Sequence, residues 1–423
     1  MNQTDADEQS NYRLSVGRWQ VGAAYILFFA AIPTYIVGNN AYVISAILLS
    51  LFVTFYYRKY FFNYSMAALL AIFIVYFWLS NIDGIRGASD IYQKEFILKQ
   101  SIQYILIFFS LPAFTVSLLS ILINNKEKLF LGIIIPVLFV SNLTIAAQQN
   151  VMLGGKIYGT LTGSFLLELS IILYALKYIE RLPYKLIILA VMFVFSGSAT
   201  NQIVSAFSFA VLMLPYTSAV TIAGVAGVFA VILVVLGLDG DGMAALKEVD
   251  HNALVRAYLW KSVAAKIYAS DFMGVGFGVE YRPWRFVWLA KFHASLASMD
   301  GFVTANHNSF LDNFYRLGIG GFLALLGIIF QGWPRRVFSS LDMKVGCFVL
   351  FSVVVACAFN PMLESVRSLM GLSFGIGYLY ALQQFYLLKP VQPEALSAVA
   401  DELPPRKRRV PLSGYSARRR PLR

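Results

Sequence analysis

The sequence contains few charged residues. Asp, Glu, Lys and Arg make up 13% of its 423 residues, about half the share of ~25% in an average globular chain. Cysteine is scarce as well: Cys347 and Cys357 are the only two, and on one helix they would lie about 15 Å apart, too far for a disulfide. These shortages exclude a disordered chain, a secreted disulfide scaffold and a soluble nucleic-acid binder.

Apolar residues are abundant instead, at 58% of the chain. They suffice for about twelve segments of ~20 residues, the length that a helix needs to cross a bilayer. Spanning segments must be helices or strands of a closed barrel, and the alternating pattern of a barrel is absent. We therefore predict an all-α polytopic membrane protein with about twelve transmembrane helices and one large outer loop that bears helices.

The predicted spans divide the chain into five regions. These are an N-terminal segment 1–18, spans one to nine over 19–237, an outer loop 238–308, spans ten to twelve over 309–388, and a tail 389–423. The spans begin near Trp19, Ala41, Ser65, Ser101, Leu129, Phe165, Leu186, Asn201, Ala219, Ser309, Lys344 and Leu369. The first segment lacks the basic start of a signal peptide, so we expect the first span to be retained.

The distribution of Lys and Arg predicts that both ends of the chain lie inside the cell. Basic clusters occupy alternate connections, as the positive-inside rule requires: Arg58–Lys59, Lys126 with Lys128, Lys177 with Arg181 and Lys185, Arg335–Arg336 with Lys344, and the tail. The tail holds nine basic and three acidic residues, half of the net charge of +12. We interpret it as a disordered segment that touches anionic lipid, rather than as a site for a specific partner.

The outer loop 238–308 holds the candidate chemistry. It contains all three histidines of the chain, His251, His293 and His307. A connection of this length is usually functional or disordered, and its three tryptophans and many other apolar residues argue against disorder.

A helix is predicted within this loop. Apolar residues recur at helical spacing over 253–268, and Arg256 and Trp260 lie one turn apart on the same face. Three glycines follow and predict a tight turn that lets the backbone approach a neighbour closely: Gly274, Gly276 and Gly278.

A polar His-Asn pair opens the predicted tenth span. His307 and Asn308 precede Asp312 and Arg316, whose spacing of four residues allows an ion pair on one helix face. Two small residues then suit close helix packing: Gly318 and Gly321.

This His-Asn motif at the end of a long outer loop resembles the O-antigen ligase and Wzy-type polysaccharide polymerase superfamily. The pattern here is His307-Asn308-x-x-Leu311, followed by Gly318-x-x-Gly321. Further stretches are similar to that family's motifs: Arg256-Ala257-Tyr258-Leu259-Trp260 with Gly274-Val275-Gly276-Phe277-Gly278, Thr162-Gly163-Ser164-Phe165, and Ser196-Gly197-Ser198. The resemblance covers roughly residues 100–385 and includes the twelve-span layout with one periplasmic loop.

The chain departs from the family at one position. In the family, an arginine thought to hold the lipid diphosphate often follows the Ser-rich segment, whereas Ala199-Thr200-Asn201-Gln202 stands here. A second phosphate-binding cation must then come from elsewhere, with Arg282, Arg285 and Lys156 as candidates. This departure leads us to favour a polymerase over a typical ligase.

The resemblance implies an enzyme of the bacterial inner membrane that transfers glycan from a polyprenyl-diphosphate carrier onto a lipid-linked repeat unit, for exopolysaccharide or O-antigen biosynthesis. His307 is the candidate general base, because imidazole exchanges protons near neutral pH. Arg256 is the candidate diphosphate ligand, because guanidinium forms bidentate hydrogen bonds. The structural alternatives are an interfacial capping role for His307 and a salt bridge from Arg256 to Asp250.

Further candidates for substrate binding each have a structural alternative. Arg282 and Arg285 belong to a cluster with Trp284 and Trp288 that could instead lie on the membrane surface. Trp260 shares the face of Arg256. Asn308 could orient His307 or cap its helix, and the Asp312–Arg316 pair suits a structural role. Glu168, an intramembrane carboxyl, could bind substrate or be protonated and merely hydrogen-bonded.

We predict no metal and no cofactor. Asp239-Gly240-Asp241 mimics the Asp-x-Asp of nucleotide-sugar transferases, but it offers too few oxygens for a calcium or magnesium site. The lipid diphosphate already activates the donor. The expected partners are polyprenyl-diphosphate-linked oligosaccharide and membrane lipid, with a chain-length regulator as a further candidate and no nucleic acid.

Two alternative functions follow from the same sequence. One is a ligase that moves finished glycan to an outer acceptor, and the other is a flippase or transporter of lipid-linked oligosaccharide. A transporter should place charged residues along the middle of several spans. Here the span interiors are almost free of charge and ionisable groups gather in the outer loop, which favours chemistry at the outer face.

Overall fold

The computed structural model describes most of the predicted spans and part of the outer loop. The described residues are 64–79, 91–153, 164–195, 199–215, 251–277, 308–334, 338–360, 362–363 and 366–388, with scattered positions between 44 and 51 and between 218 and 228. The predicted first span and the tail 389–423 lie outside them. Contacts divide the chain into Met1–Tyr386 and Leu387–Arg423, and the account below concerns the first unit.

Ten helices can be bounded within the described residues, which contain no strand. They are α1 Tyr64–Leu79, α2 Ile91–Ile123, α3 Glu127–Leu153, α4 Phe165–Tyr178, α5 Leu182–Phe195, α6 Ala199–Met213, α7 His251–Ala269, α8 Ser309–Gln331, α9 Ser340–Phe359 and α10 Val366–Leu388. The prediction of an all-α chain is confirmed for this part of the protein.

Four of these helices are long and apolar enough to cross a membrane. Their apolar stretches are Gln100–Ile123, Glu127–Thr144, Ser309–Gln331 and Ser340–Phe359. They indicate an integral membrane protein and begin close to four of the predicted spans. Helix α2 itself begins earlier, at Ile91, so the end of a predicted outer connection is helical.

Three predicted spans are shorter than expected. Helices α4 and α5 have 14 residues each and α6 has 15, whereas ~20 residues are needed to cross the hydrocarbon core. Ser164 caps α4, and the extended backbone of Ile179 ends it. The charged residues Glu180 and Arg181 follow α4, and Pro215 follows α6, so hydropathy averaged over a longer window overestimates the length of these helices. Twelve complete spans are therefore not seen among the described residues.

Glycines let α10 approach three other helices closely. A Cβ on Gly375 would lie 2.6 Å from Val353 Cγ2 of α9, and one on Gly371 would lie 2.9 Å from Phe165 Cδ1 of α4. A Cβ on Gly377 would lie 3.0 Å from the Phe114 side chain of α2. Small residues at helix contacts are the usual means of close packing in membranes.

An ionic cluster, here named the Lys177 network, joins α3, α4, α9 and α10 where predicted inner connections meet. Lys177 Nζ lies 2.6 Å from Glu127 Oε2 and 3.2 Å from Asp342 Oδ1. Tyr378 donates a 2.6 Å hydrogen bond to Glu127 Oε1, and Tyr386 donates one of 2.6 Å to Asp342 Oδ2. One lysine thus bridges two carboxylates, and tyrosine hydroxyls satisfy their remaining oxygens.

Replacing Lys177 with Met should lower the free energy of unfolding by about 3 kcal/mol, because Glu127 and Asp342 would then share a partly buried site without their cation. The measurement is the thermal unfolding midpoint of the detergent-solubilised protein. Lys128→Met is the matched control, since Lys128 is exposed near the start of α3. Equal midpoints for the two variants would contradict a stabilising role for the network.

Candidate functional site

The predicted helix of the outer loop is present. Helix α7 runs His251–Ala269, against a prediction of 253–268, and it ends before Asp271 as expected. It contacts α8, the helix that follows the His307-Asn308 motif. Arg256 lies on α7, and its side chain lies outside the described part of the structure.

The glycine turn after α7 pairs its backbone with the middle of α8. Val275 N donates to Tyr315 O at 2.7 Å, and Gly276 N donates to Arg316 O at 3.1 Å. In return, Ile319 N donates to Phe272 O at 2.9 Å. The loop is therefore joined to the membrane helix by three backbone hydrogen bonds, as well as by side chains.

These bonds replace helical bonds that a kink in α8 removes. Gly318 has φ 68° and ψ −169°, so the regular i to i−4 pairing is lost around it. In an unbroken helix, Ile319 N would donate to Tyr315 O. Here both groups are paired with the glycine turn instead. Asn313 Nδ2 also donates to Gly321 O across the kink.

Close approach of two backbones explains why both segments carry glycine. Gly274 has φ +88°, and a Cβ on it would lie 2.5 Å from Gly318 N and 2.9 Å from Arg316 O. The predicted role of the glycine turn is confirmed. Gly318, in contrast, was expected to pack against another helix, and it contacts Phe272 and Met273 of the turn.

Gly274→Ala should lower the free energy of unfolding by about 1–3 kcal/mol, because it adds both a strained φ and a steric clash with α8. Gly132→Ala is the control, since a Cβ there meets nothing within 4 Å and alanine favours the helix. Unfolding midpoints of the purified variants test this. A Gly274→Ala protein as stable as Gly132→Ala would show that the two backbones do not meet in this way.

Aromatic contacts hold the same turn between three helices. The Phe272 ring stacks on Phe314 of α8 with centroids 6.1 Å apart. At the other end of the turn, Phe277 lies edge-on to Phe73 of α1 at 5.6 Å and to Tyr104 of α2 at 5.2 Å. The turn is thus fixed from both sides, and this contact also orients Tyr104.

Tyr104, Asp312 and Arg316 form a buried polar triad at the predicted outer half of α8. Arg316 Nε donates to Asp312 Oδ1 at 3.1 Å, with side chains 0% and 1% exposed. Tyr104 OH donates to Asp312 Oδ2. The Arg316 guanidinium also lies 5.8 Å from the Tyr315 ring centroid. The predicted Asp312–Arg316 pair is confirmed, and its burial supports a structural role.

Asp312→Leu should lower the free energy of unfolding by about 3–5 kcal/mol, because a buried guanidinium loses its carboxylate. The double variant Asp312→Leu/Arg316→Met removes both charges and should recover part of that loss. Thermal unfolding of Asp312→Leu, of Arg316→Met and of the double variant tests the pair. A double variant that loses the sum of the two single effects would contradict a coupled pair.

Asn308 and Ser309 fix the first turn of α8, immediately after His307. Asn308 Oδ1 accepts hydrogen bonds of 3.0 Å from Phe310 N and Leu311 N, so the capping alternative is confirmed. Ser309 Oγ donates to Asn360 O at 2.7 Å and accepts from Met362 N at 2.6 Å. The turn after α9 therefore holds the start of α8 in place.

Two other predicted substrate contacts are buried. Trp260 and Glu168 are each 0% exposed. Ser205 of α6 donates a 2.8 Å hydrogen bond to Glu168 Oε1. A fully enclosed indole cannot stack on a sugar without rearrangement, so the burial of Trp260 favours a packing role.

Two residues near the site were not predicted. Tyr104 lies 208 residues from its partner Asp312, and nothing local in the sequence marks it. Lys266 Nζ lies 3.5 Å from Tyr315 OH and 5.9 Å from the ring centroid. Lys266 lies in the last turn of the predicted loop helix, and that helix carries Arg256, so its sequence position could have indicated that it lies near the site.

Four predicted site residues lie outside the described residues: His307, Arg282, Arg285 and Lys156. The Asp239-Gly240-Asp241 stretch, which was rejected as a metal site on its sequence, lies outside them as well. Within the described ranges, no group of three or more His, Cys, Asp and Glu side chains could hold a metal ion.

Comparisons of the chain with protein-family models, with characterised proteins and with solved structures found no match. The resemblance to the ligase and polymerase superfamily therefore depends on the motifs and their order.

Proposed function

We propose that this protein is an integral-membrane polysaccharide polymerase that transfers glycan from a polyprenyl-diphosphate carrier onto a lipid-linked repeat unit. The observation that carries the proposal is the backbone pairing of the glycine turn with Tyr315 and Arg316 of α8. It places the loop helix that bears Arg256 against the helix that His307 precedes. Two motifs some fifty residues apart thus belong to one packed unit.

The reaction needs a base and a group that stabilises the leaving diphosphate. The acceptor hydroxyl gives its proton to His307 as its oxygen forms a bond to the anomeric carbon. The bond between that carbon and the diphosphate oxygen breaks, and the diphosphate leaves on its carrier lipid. Arg256 offsets the charge that develops on the diphosphate through two parallel hydrogen bonds. No metal or cofactor enters the proposal.

The contacts that fix the start of α8 support the assignment of His307 as the base. The base must be held within about an ångström of its working position, and the start of α8 is fixed by three kinds of contact. Asn308 caps it, Ser309 ties it to the turn after α9, and the triad of Tyr104, Asp312 and Arg316 anchors its next turn.

The proposed setting is the bacterial inner membrane, with twelve spans, both termini in the cytoplasm and residues 238–308 in the periplasm. The positive-inside distribution of Lys and Arg supports this orientation.

The Lys177 network favours a polymerase over a flippase. An alternating-access transporter must open the inner end of its helix bundle, and this network closes four helices there with charge-assisted bonds. A ligase remains the second candidate within the superfamily.

The test is the lipid-linked glycan pool of a strain that lacks the protein, sized by mass spectrometry. Single repeat units should accumulate, and the wild-type gene should clear them. His307→Ala should fail to do so because the base is gone, whereas His251→Ala and His293→Ala, from the same loop, should complement.

Other outcomes would contradict the proposal. Long chains stranded on the carrier would identify a ligase. Repeat units held on the inner leaflet, protected from an external glycosidase, would identify a flippase. Complementation by His307→Ala would remove the proposed base.

A further inference from the structure

The start of α8 lies level with one end of α9, a helix long enough to cross the bilayer. Helix α9 has 20 residues and a length of about 30 Å, which matches the hydrocarbon core. Its C-cap is Asn360. Ser309 Oγ, in the first turn of α8, donates to Asn360 O at 2.7 Å and accepts from Met362 N at 2.6 Å. The start of α8 therefore lies near one membrane surface, which is the predicted outer one.

The glycine turn after α7 contacts α8 far below that surface. Gly318 is nine residues after Ser309 and thirteen residues before Gln331, about 13 Å from one end of α8 and about 20 Å from the other. The centre of the hydrocarbon core is ~15 Å from each of its edges. Phe272 O accepts a hydrogen bond of 2.9 Å from Ile319 N, directly after the kink. The turn therefore meets α8 close to the depth of the bilayer centre.

The chain rises again along α8 after this contact. Val275 N donates to Tyr315 O at 2.7 Å, about one turn nearer to the start of α8 than the kink. The next contact is nearer again, because Phe277 lies edge-on to Tyr104 at 5.2 Å and Tyr104 OH donates to Asp312. The turn thus leads back toward the surface at which α8 begins.

Helix α7, which leads into the turn, is not a span of its own. It is absent from the helices of the described residues that are long and apolar enough to cross a membrane, and it carries three basic residues, Arg256, Lys261 and Lys266. The chain must then enter and leave the membrane on the same side. Non-helical backbone is tolerated at membrane depth where it is buried in protein or lines a cavity, and here the turn pairs three times with the backbone of α8.

An exposed apolar surface surrounds the lowest part of the turn. We name it the apex patch, and it consists of Tyr268, Phe272 and Met273 of the loop with Ile319 and Leu323 of α8. Met273 is 64% exposed and Leu323 is 57% exposed. The first half of α8, up to the kink, is buried throughout, so the apex patch contains the first exposed side chains of that helix.

The apex patch is continuous with the surface that α8 presents to lipid. Helix α8 is long and apolar enough to cross a membrane, so exposed apolar side chains in its middle, such as Leu323, face acyl chains. The hydrogen bond from Ile319 N to Phe272 O places the loop part of the patch directly beside them. The basic residue of the last turn of α7 is directed elsewhere, since Lys266 Nζ lies 3.5 Å from Tyr315 OH.

We propose that the end of α7 and the glycine turn form a re-entrant segment, and that the apex patch binds lipid acyl chains near the centre of the bilayer. Part of the loop 238–308 then lies within the membrane and not outside it. Burial of the patch in hydrocarbon is the favourable term that holds the segment at this depth. The inference is independent of the proposed reaction, because it depends only on the packing of the turn against a membrane helix.

The experiment measures the depth of a nitroxide spin label on the full chain in bilayers of phosphatidylethanolamine and phosphatidylglycerol. Cys347 and Cys357 are buried and free, and both are first replaced with alanine. The label is then attached at Met273→Cys, at Leu323→Cys as the lipid-facing reference, and at Lys128→Cys as the water-facing reference, since Lys128 is exposed near the start of α3.

Relaxation of the label by oxygen and by a polar nickel complex reports its surroundings, because oxygen concentrates in hydrocarbon and the nickel complex stays in water. The ratio of oxygen to nickel collisions at Met273→Cys should be within about twofold of that at Leu323→Cys and several-fold higher than that at Lys128→Cys. Unfolding midpoints of the labelled proteins should match, which shows that the labels leave the fold intact.

Asp271 provides a second measurement. It is exposed beside Phe272, and its φ of 49° is one that Asn and Asp adopt more readily than most residues. A carboxyl group is unfavourable among acyl chains, whereas an exposed one in water contributes little to stability. Asp271→Asn should therefore raise the unfolding midpoint of the protein in bilayers. Glu180→Gln, an exposed carboxyl just after α4, is the control and should leave the midpoint unchanged.

Three results would overturn the inference. A collision ratio at Met273→Cys as low as that at Lys128→Cys would place the turn in water. Protection of this label from both oxygen and nickel would mean that protein, such as a second copy of the chain, covers the apex patch. A midpoint for Asp271→Asn no higher than wild type would contradict the placement of this turn among acyl chains. All three would leave the proposed polymerase standing, because the glycan pool tests it separately.

Discussion

The requirement that every backbone group find a partner away from water shapes this structure more than any other constraint. In lipid or in a protein interior, an unpaired N–H or C=O group costs several kcal/mol. The kink at Gly318 releases such groups in the middle of α8, and the glycine turn that follows α7 pairs with them. The turn after α7 is therefore joined to α8 by hydrogen bonds to backbone groups of α8 that have lost their helical partners. Side chains such as Phe272 and Phe277 then fix the angle of approach.

Sequence reasoning was most successful where the determinants are local. The helix at 251–269, its end before Asp271, the glycine turn and the Asp312–Arg316 pair all depend on residues a few positions apart, and each was predicted. Helix ends were harder. Hydropathy averaged over the length of a span does not resolve where the backbone hydrogen bonding of α4, α5 and α6 stops. Composition also could not distinguish a glycine that packs against a helix from one that meets a turn, as at Gly318.

Partners far apart in the chain were beyond prediction. The structure pairs Tyr104 with Asp312, Lys177 with Glu127 and Asp342, and Glu168 with Ser205. The sequence drew attention to Asp312, Lys177 and Glu168, but a single sequence does not record which distant side chains meet them. These polar contacts lie in two places, one near the predicted outer ends of the helices and one near their predicted inner ends. Near the predicted outer end, the polar contacts fix the start of one helix and the loop beside it. At the predicted inner end, they join four helices around one lysine.

The glycines of α10 have a consequence for how this sequence can change over time. Gly375 meets Val353 so closely that a side chain at position 375 needs space which only a smaller residue at 353 would leave. The side chains at positions 353 and 375 therefore share a fixed volume. Which residues one position tolerates depends on the size of the side chain at the other. The same holds for Gly371 and the Phe165 ring. Among descendants of this chain, substitutions at these sites should appear as compensated pairs, so that α10 evolves more slowly than its apolar composition alone would suggest.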